Sequence, residues 1–224
     1  YILTGEYEHN LHALARALAG KTEMGTLQGI AWRSRENIIE VRPDPAVTDP
    51  DSLPMPARHL FPAKGQTGMH YYHDGFCQNR PAVQLHSSRG CPFTCNFCLW
   101  TQTMYKPGRY RTRNAASVVD EMEYVAAHFG AKEVYFDDDT FTGSKSHVMG
   151  ICEEILRRNL RIPWSVMGDA MKADEEMLCK MKEAGCIGIK FGMESGDPEI
   201  LKNINKPLHL DRLESLLKVC TRLG

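Results

Sequence analysis

The stretch NAASVVDEMEYVAAHFGAKEVYFDDD, residues 114–139, reads as one amphipathic helix followed by one buried strand. Asn114 offers a side-chain acceptor to the first free amides. Val118, Met122, Val125 and Phe129 recur on one face, and Gly130 closes the helix. Glu133-Val134-Tyr135-Phe136 is then a short apolar run that stops abruptly at Asp137-Asp138-Asp139. The same alternation extends outward in both directions. Upstream, Val83 to Ser87 is strand-like. Downstream, a helix with Val148, Ile151 and Ile155 on one face leads to a strand around Ile162 to Val166. Asp174 caps a third helix, carrying Met177, Leu178 and Met181 and stopped at Gly185. A strand over Ile187 to Met193 follows and ends at Glu194-Ser195-Gly196. Asp197-Pro198 fits the N-cap and first position of a further helix, and Asp211 starts a last one with Leu213, Leu216, Leu217 and Cys220 inward. A βαβα series of this kind predicts parallel strands joined by right-handed crossovers, as a (β/α) barrel or an open doubly wound sheet. Only four strands are visible, so a full eight-stranded barrel does not fit.

Seven of the twelve prolines fall between Pro43 and Pro81, where neither helical nor alternating patterning holds. Proline fixes φ and removes a donor, so this run suits a strap laid over a surface. Before it, Tyr1 to Thr4 reads as a strand, and Leu11, Leu14, Ala15 and Leu18 as a helix face that ends at Gly20. Ile30 to Trp32 and Ile38 to Val41 read as strands around the turn residues Ser34 to Asn37. About forty residues are too few for an independent domain. The expected division is therefore residues 1–42, the last piece of a domain; 43–82, a connector; and 83–224, the α/β core.

Composition narrows the class. The 224 residues carry 27 Lys plus Arg against 28 Asp plus Glu, a formal charge of -1. Bulk attraction to nucleic acid or an anionic membrane is thereby excluded, and no apolar run is long enough to span a bilayer. The first residues lack the pattern of a signal peptide, which predicts a soluble cytoplasmic protein whose eight cysteines are thiols or metal ligands.

Three of those cysteines form the sharpest signal. Arg89-Gly90-Cys91-Pro92-Phe93-Thr94-Cys95-Asn96-Phe97-Cys98 spaces them C-x3-C-x2-C directly after the first core strand. Three thiolates on one tight loop can face one metal centre and leave a coordination position open. A closed zinc site is the rival reading, with Cys77 or His86 as fourth ligand, but no second cysteine pair of the usual zinc spacing is present.

At these residues the chain resembles the radical S-adenosylmethionine superfamily, with Phe97 as the aromatic of the cysteine loop, and the resemblance runs from Gln84 to Gly224. It implies a partial (β/α)6 barrel, about four strands of which are here. Cys91, Cys95 and Cys98 would hold a [4Fe-4S] cluster whose open iron binds S-adenosylmethionine. An electron from the cluster then cleaves that cofactor to a 5′-deoxyadenosyl radical. The resemblance places Asp138 and Asp139 on the ammonium of the methionine moiety, and Glu194 and Ser195 on the ribose hydroxyls or the methionine carboxylate end. Gly192 and Gly196 would let the ligand approach the backbone. Relatives often carry Arg or Lys after the third strand where Asp169 stands here, which leaves Lys172, Lys190 or Arg111 as candidates to neutralise the cofactor's carboxylate. The run Arg109 to Arg113 otherwise reads as a solvated basic face, or as a means of fixing the loop to the barrel. Cys152, Cys179, Cys186 and Cys220 read as small buried hydrophobes, Cys77 as an ordinary thiol, and His70 and His73 as surface-loop residues.

Leu53 to Pro62 is similar to the segment that joins a cobalamin-binding domain to the radical domain in one branch of the superfamily. Residues 1–42 resemble the end of that Rossmann-like domain, whose remainder would lie upstream; no Asp-x-His-x-x-Gly motif is present. Cobalamin is thus implied by the resemblance, with a cobalamin-independent radical S-adenosylmethionine enzyme as the alternative. The stretches Cys98 to Gln102 and Phe136 to Thr142 are most similar to hopanoid-biosynthesis-associated members. The activity implied is methyl transfer, or ring formation or rearrangement, on an unactivated carbon of a small-molecule or lipid-like substrate. An external donor such as flavodoxin or ferredoxin would supply the electron. The expected chain is an internal fragment of a longer protein.

Overall fold

The computed structural model describes residues 1–33, 39–42, 48–60, 74–105 and 108–224. Its centre is a four-stranded parallel sheet in the order β4 (Ala82–Leu85), β7 (Glu133–Phe136), β8 (Trp164–Gly168), β9 (Cys186–Phe191). The connections are the helices α3 (Ala115–Phe129), α4 (Lys145–Arg157) and α5 (Glu175–Glu183); α6 (Pro198–Asn203) and α7 (Leu210–Leu223) follow. The starts of α3, α5 and α6 lie where the sequence puts a polar cap. By contrast, α7 begins at Leu210 behind His209, which makes no side-chain cap bond, and Asp211, expected to start it, sits inside its first turn. Asn114 Oδ1 accepts from the amide of Ala116 at 2.9 Å, Asp174 from Met177 at 2.8 Å and Asp197 from Glu199 at 2.8 Å. Gly130 ends α3 in the left-handed region, at φ 62°.

One face of the sheet is apolar and covered by helices. Val83, Leu85, Val134, Phe136, Trp164 and Val166 pack there with Val118, Met122, Ile151, Ile155, Met177 and Met181. The other face is not apolar. Tyr135, Ser165 and Gly188 share one row of it, and its lower end is closed by the last part of the connector. Glu133 accepts the amides of Gln78 and Asn79, each at 2.8 Å, and the Ser165 hydroxyl at 2.6 Å. Phe76 lies against Gly188, and Lys190 Nζ reaches Asp74 at 3.0 Å. Helices on one face and a plugged polar interior on the other decide for the barrel-like alternative over a doubly wound sheet.

An antiparallel sheet β1 (Ile2–Leu3), β2 (Ile30–Arg33), β3 (Ile39–Arg42) forms a second layer with α1 (Glu8–Leu18). Here the expected helix face is corrected: Leu14 is buried, flanked by Ala13 and Ala17, whereas Leu11 and Leu18 are 52% and 58% exposed and Ala15 is exposed. Two overlapping stripes exist at helical spacing, and the narrow three-stranded sheet grips the one through Leu14. In α7, Leu213 and Leu216 are buried and Cys220 packs against the core as expected, and only Leu217, 47% exposed, falls outside the face. The turn at Ser34 to Asn37, and His70 and His73, lie outside the described residues.

A two-stranded ribbon, β5 (Ser88–Gly90) with β6 (Tyr110–Thr112), brackets the cysteine loop and its short helix α2 (Leu99–Thr103). The basic run is not a solvated face. Arg111 donates to Glu6 at 3.0 Å and to the Thr48 carbonyl, while Arg113 and Arg58 both pair with the buried Glu121, at 2.6 and 2.7 Å. The connector is thereby strapped to α3, and Asp51 accepts the Asn114 amide at 2.8 Å. Cys152 and Cys186 are buried as expected; Cys179 is exposed. Among the described residues no helix is long and apolar enough to cross a membrane.

Candidate active site

The C-terminal ends of all four parallel strands open into one cavity of about 560 Å³. Each strand contributes: His86 after β4, Asp139 and Thr140 after β7, Asp169 after β8, Gly192 and Glu194 after β9. The cysteine loop supplies one wall with Cys91, Cys95 and Cys98 together with Phe93 and Phe97, and Trp100 and Met104 continue it. Glu6, Tyr7 and Glu8 of the N-terminal layer border it too. A volume of this size suits a small molecule or organic cofactor.

The three thiols face this space together. Burial pushes Cys91 up to about 11 and raises Cys95 as well, so both are thiols at neutral pH without a metal to take the proton's place. Among the described residues no three His, Cys, Asp or Glu side chains converge closely enough to hold a single ion. Three thiols on one wall of the cavity are the donor set that a [4Fe-4S] cluster takes, one thiolate to each of three irons. Cys77 is at the other end of the sheet, packed with Ala82 and Tyr135, and does not border the cavity. It is no fourth ligand. His86 does border the cavity, with Nδ1 3.9 Å from Asp138.

The two aspartates after β7 divide the work. Asp138 is fully buried and accepts from the Ser87 amide at 2.7 Å, the Ser87 hydroxyl at 2.5 Å and the Ser88 hydroxyl at 2.8 Å. Its carboxylate fixes the chain that leads into the cysteine loop. His147 backs this arrangement, its Nε2 lying 3.0 Å from Ser87 Oγ. Since Ser87 gives its proton to the carboxylate, His147 is the donor in that contact. Asp139 is half-buried and accepts the Gly90 amide at 2.9 Å. Burial raises its pKa, and the neighbouring Asp138 adds to the rise.

Glu194 stands at φ 64°, a left-handed conformation that a non-glycine residue adopts at some cost, and this turns its carboxylate toward the cavity. Ser195 is not among the cavity-lining residues; its hydroxyl accepts the Asp197 amide at 3.0 Å and shapes the turn into α6. Phe97 is 51% exposed at the cavity edge.

Two residues of the site were given no role by the sequence. Lys206 enters the cavity from the turn after α6, its side chain only 12% exposed, with Nζ 3.8 Å from both Asp169 and Glu194. It places a cation beside Asp169 at the cavity wall. None of the three expected substitutes borders the cavity: Lys172 lies 5.7 Å over the Phe93 ring, Lys190 pairs with Asp74, and Arg111 pairs with Glu6. Thr140 is the second. Its hydroxyl is buried at the cavity wall and has no hydrogen-bond partner among the described residues. A buried hydroxyl without a partner is costly, so such an atom marks a place where a bound ligand completes the bonding.

Comparison with known proteins agrees with this geometry. Over its full length the chain is 29% identical to an uncharacterized methyltransferase of Pyrococcus horikoshii, covering 46% of that protein. Over 92% of its length it is 28% identical to the anaerobic magnesium-protoporphyrin IX monomethyl ester cyclase of a Synechocystis species, covering 39% of it. The chain therefore spans less than half the length of these curated relatives. Among solved structures, 99% of the chain superimposes on 44% of the radical S-adenosylmethionine methyltransferase of Kitasatospora setae, crystallised with cobalamin and a [4Fe-4S] cluster. The TM-score is 0.74 at 23% identity, a likeness of fold. The Radical SAM superfamily model matches residues 85–224, from the last residue of β4 through the cysteine loop to the end of α7, and the chain belongs to that superfamily.

Proposed function

We propose that this chain is the cofactor-binding part of a cobalamin-associated radical S-adenosylmethionine enzyme that transfers a methyl group to an unactivated carbon. The observation that carries the reading is the meeting of three thiols, an unpartnered Thr140 hydroxyl and the cation of Lys206 in one cavity at the strand ends. Cys91, Cys95 and Cys98 would hold the [4Fe-4S] cluster, which when bound supplies the electron that cleaves S-adenosylmethionine. The residues of the chain bind and orient. S-adenosylmethionine brings an ammonium, a sulfonium and a carboxylate, and the wall offers Asp139, Asp169 and Glu194 for the cations and Lys206 for the anion. Phe93, Phe97 and Trp100 are apolar surface on which an adenine and its ribose can lie. Ser195 acts one step removed, by shaping the turn that presents Glu194. Methyl transfer is supported by the name of the Pyrococcus relative, and cobalamin by the fold shared with the Kitasatospora enzyme. Residues 1–42 fit the end of a cobalamin domain because Glu6 to Glu8 border the same cavity as the cysteines.

Anaerobic reconstitution of the full-length protein with iron and sulfide tests this. The expected result is four irons per chain, a broad brown absorption, and methylated product only when S-adenosylmethionine and cobalamin are both supplied. Cys91→Ala, Cys95→Ala and Cys98→Ala are each expected to abolish the absorption. Colourless protein holding one zinc would overturn the reading.

A further inference from the structure

The cysteine loop is held from a place far away in the sequence. The turn that follows α6 lies directly behind it. The Asn96 amide donates to the Ile204 carbonyl at 3.1 Å, and the Asn96 side chain to the Asn203 carbonyl at 2.9 Å. In return the Asn205 side-chain amide donates to both the carbonyl and the hydroxyl of Thr94, at 2.9 and 3.0 Å. These bonds join Thr94 and Asn96, on either side of Cys95, to three consecutive residues of the turn. Asn205 makes this possible by standing in the left-handed region at φ 53°, which asparagine tolerates better than most residues and which closes a helix C-terminus. The next residue is Lys206, whose ammonium enters the cavity 3.8 Å from Asp169 and from Glu194.

We infer that Asn205 and Lys206 are positioning residues for the cluster: Asn205 clamps the loop that carries Cys95, and Lys206 sets the charge beside it. The inference rests on the cluster proposed above. A [4Fe-4S] cluster held by three cysteines on one short loop is only as rigid as that loop. It needs an external brace, and four hydrogen bonds from one turn are such a brace. Lys206 lines the same cavity as Cys91, Cys95 and Cys98. A positive charge there favours the more negative, reduced form of a cluster over the oxidised form.

The test uses the reconstituted full-length protein. Asn205→Gly removes the side-chain amide but keeps the left-handed conformation accessible, so the turn itself is preserved. Iron release to a chelator is expected to be about tenfold faster than in wild type, the scale set by two lost hydrogen bonds, with an unchanged unfolding midpoint of the apo-protein. Asn205→Asp, which keeps the shape but loses the donor, is expected to behave like Asn205→Gly. Lys206→Met is expected to move the midpoint potential of the cluster to more negative values, and Lys206→Arg to leave it in place. Wild-type release rates in both Asn205 variants, or faster release only alongside a matching loss of global stability, would overturn the clamp. An unchanged potential in Lys206→Met would overturn the charge role. Failure of the wild-type protein itself to bind a cluster is a different result, and it would strike the proposed function instead.

Discussion

At the scale of single residues, the site is built from groups whose protonation and bonding are set by burial. Thr140 is the clearest case, because its hydroxyl is desolvated at the cavity wall with no partner among the described residues. Thr140→Val keeps the branched shape and deletes the penalty, so the apo-protein is expected to gain about 1 kcal/mol in denaturant unfolding. The same substitution is expected to weaken S-adenosylmethionine binding several-fold in equilibrium titration; a loss of apo stability would show that the hydroxyl is already satisfied. His147 gives a pH dependence of definite sign. Burial lowers its pKa below the ordinary 6.5, so the unfolded chain binds a proton that the native chain resists. The stabilisation is complete above pH 6.5 and is lost as the pH falls from there through the native value. His147→Gln, which keeps a donor to Ser87 but cannot titrate, is expected to flatten that part of the profile. A slope below pH 6.5 that is the same in wild type and variant would exclude His147 as its origin.

At the scale of elements, what can be read in the sequence is what is decided locally. Gly90 combines two demands on one position: it stands at φ 83°, and a Cβ there would run into the Arg109 carbonyl across the β5–β6 ribbon. Since the obstacle is backbone, it cannot swing aside. Gly90→Ala is expected to cost about 2 kcal/mol or more and to lower cluster incorporation, because the residue immediately precedes Cys91. Iron content and unfolding measured together would check it, and a variant with wild-type values of both would refute the strain argument. The helices α3 to α6 and the strands between them were legible because their caps and stops act within a few residues, as at Asn114, Gly130, Asp174 and Asp197. The β5–β6 ribbon was not, because two three-residue strands about twenty residues apart leave no periodicity to read. The inward face of α1 was missed for a related reason: spacing defines a set of stripes, and the surface the helix meets selects among them. The cysteine triad was legible as a motif. Lys206 was not, since its approach to the cavity depends on a turn braced against Thr94, more than a hundred residues earlier.

For the molecule as a whole, the two layers meet at the edge of the cavity through charge. Glu6, at the end of the β1–α1 turn, is buried and shared by Arg89 at 3.2 Å and Arg111 at 3.0 Å; Arg89 also pairs with Glu8. Arg89 immediately precedes the Gly90–Cys91 pair and Arg111 sits in the opposing strand, so both strands of the ribbon that brackets the cysteine loop are tied to the N-terminal layer. The arginine side chains retain 18–20% exposure, so part of their charge stays hydrated and breaking the pairs costs less than in a sealed interior. Glu6→Gln preserves volume but removes the charge that both guanidinium groups share. It is expected to lower stability by about 2 kcal/mol, on the scale of hydrogen bonds to charged groups. The loss is expected to be unevenly spread. In hydrogen exchange, the amides of β1 to β3 and of residues 88–98 should exchange faster, while those of β7 and β8, buried under the helices, should keep their protection. A uniform loss across both layers would mean that Glu6 contributes only to global stability. A loss confined to β1–β3 would mean that the N-terminal layer leaves without disturbing the cysteine loop, and that the ribbon is held by the barrel alone.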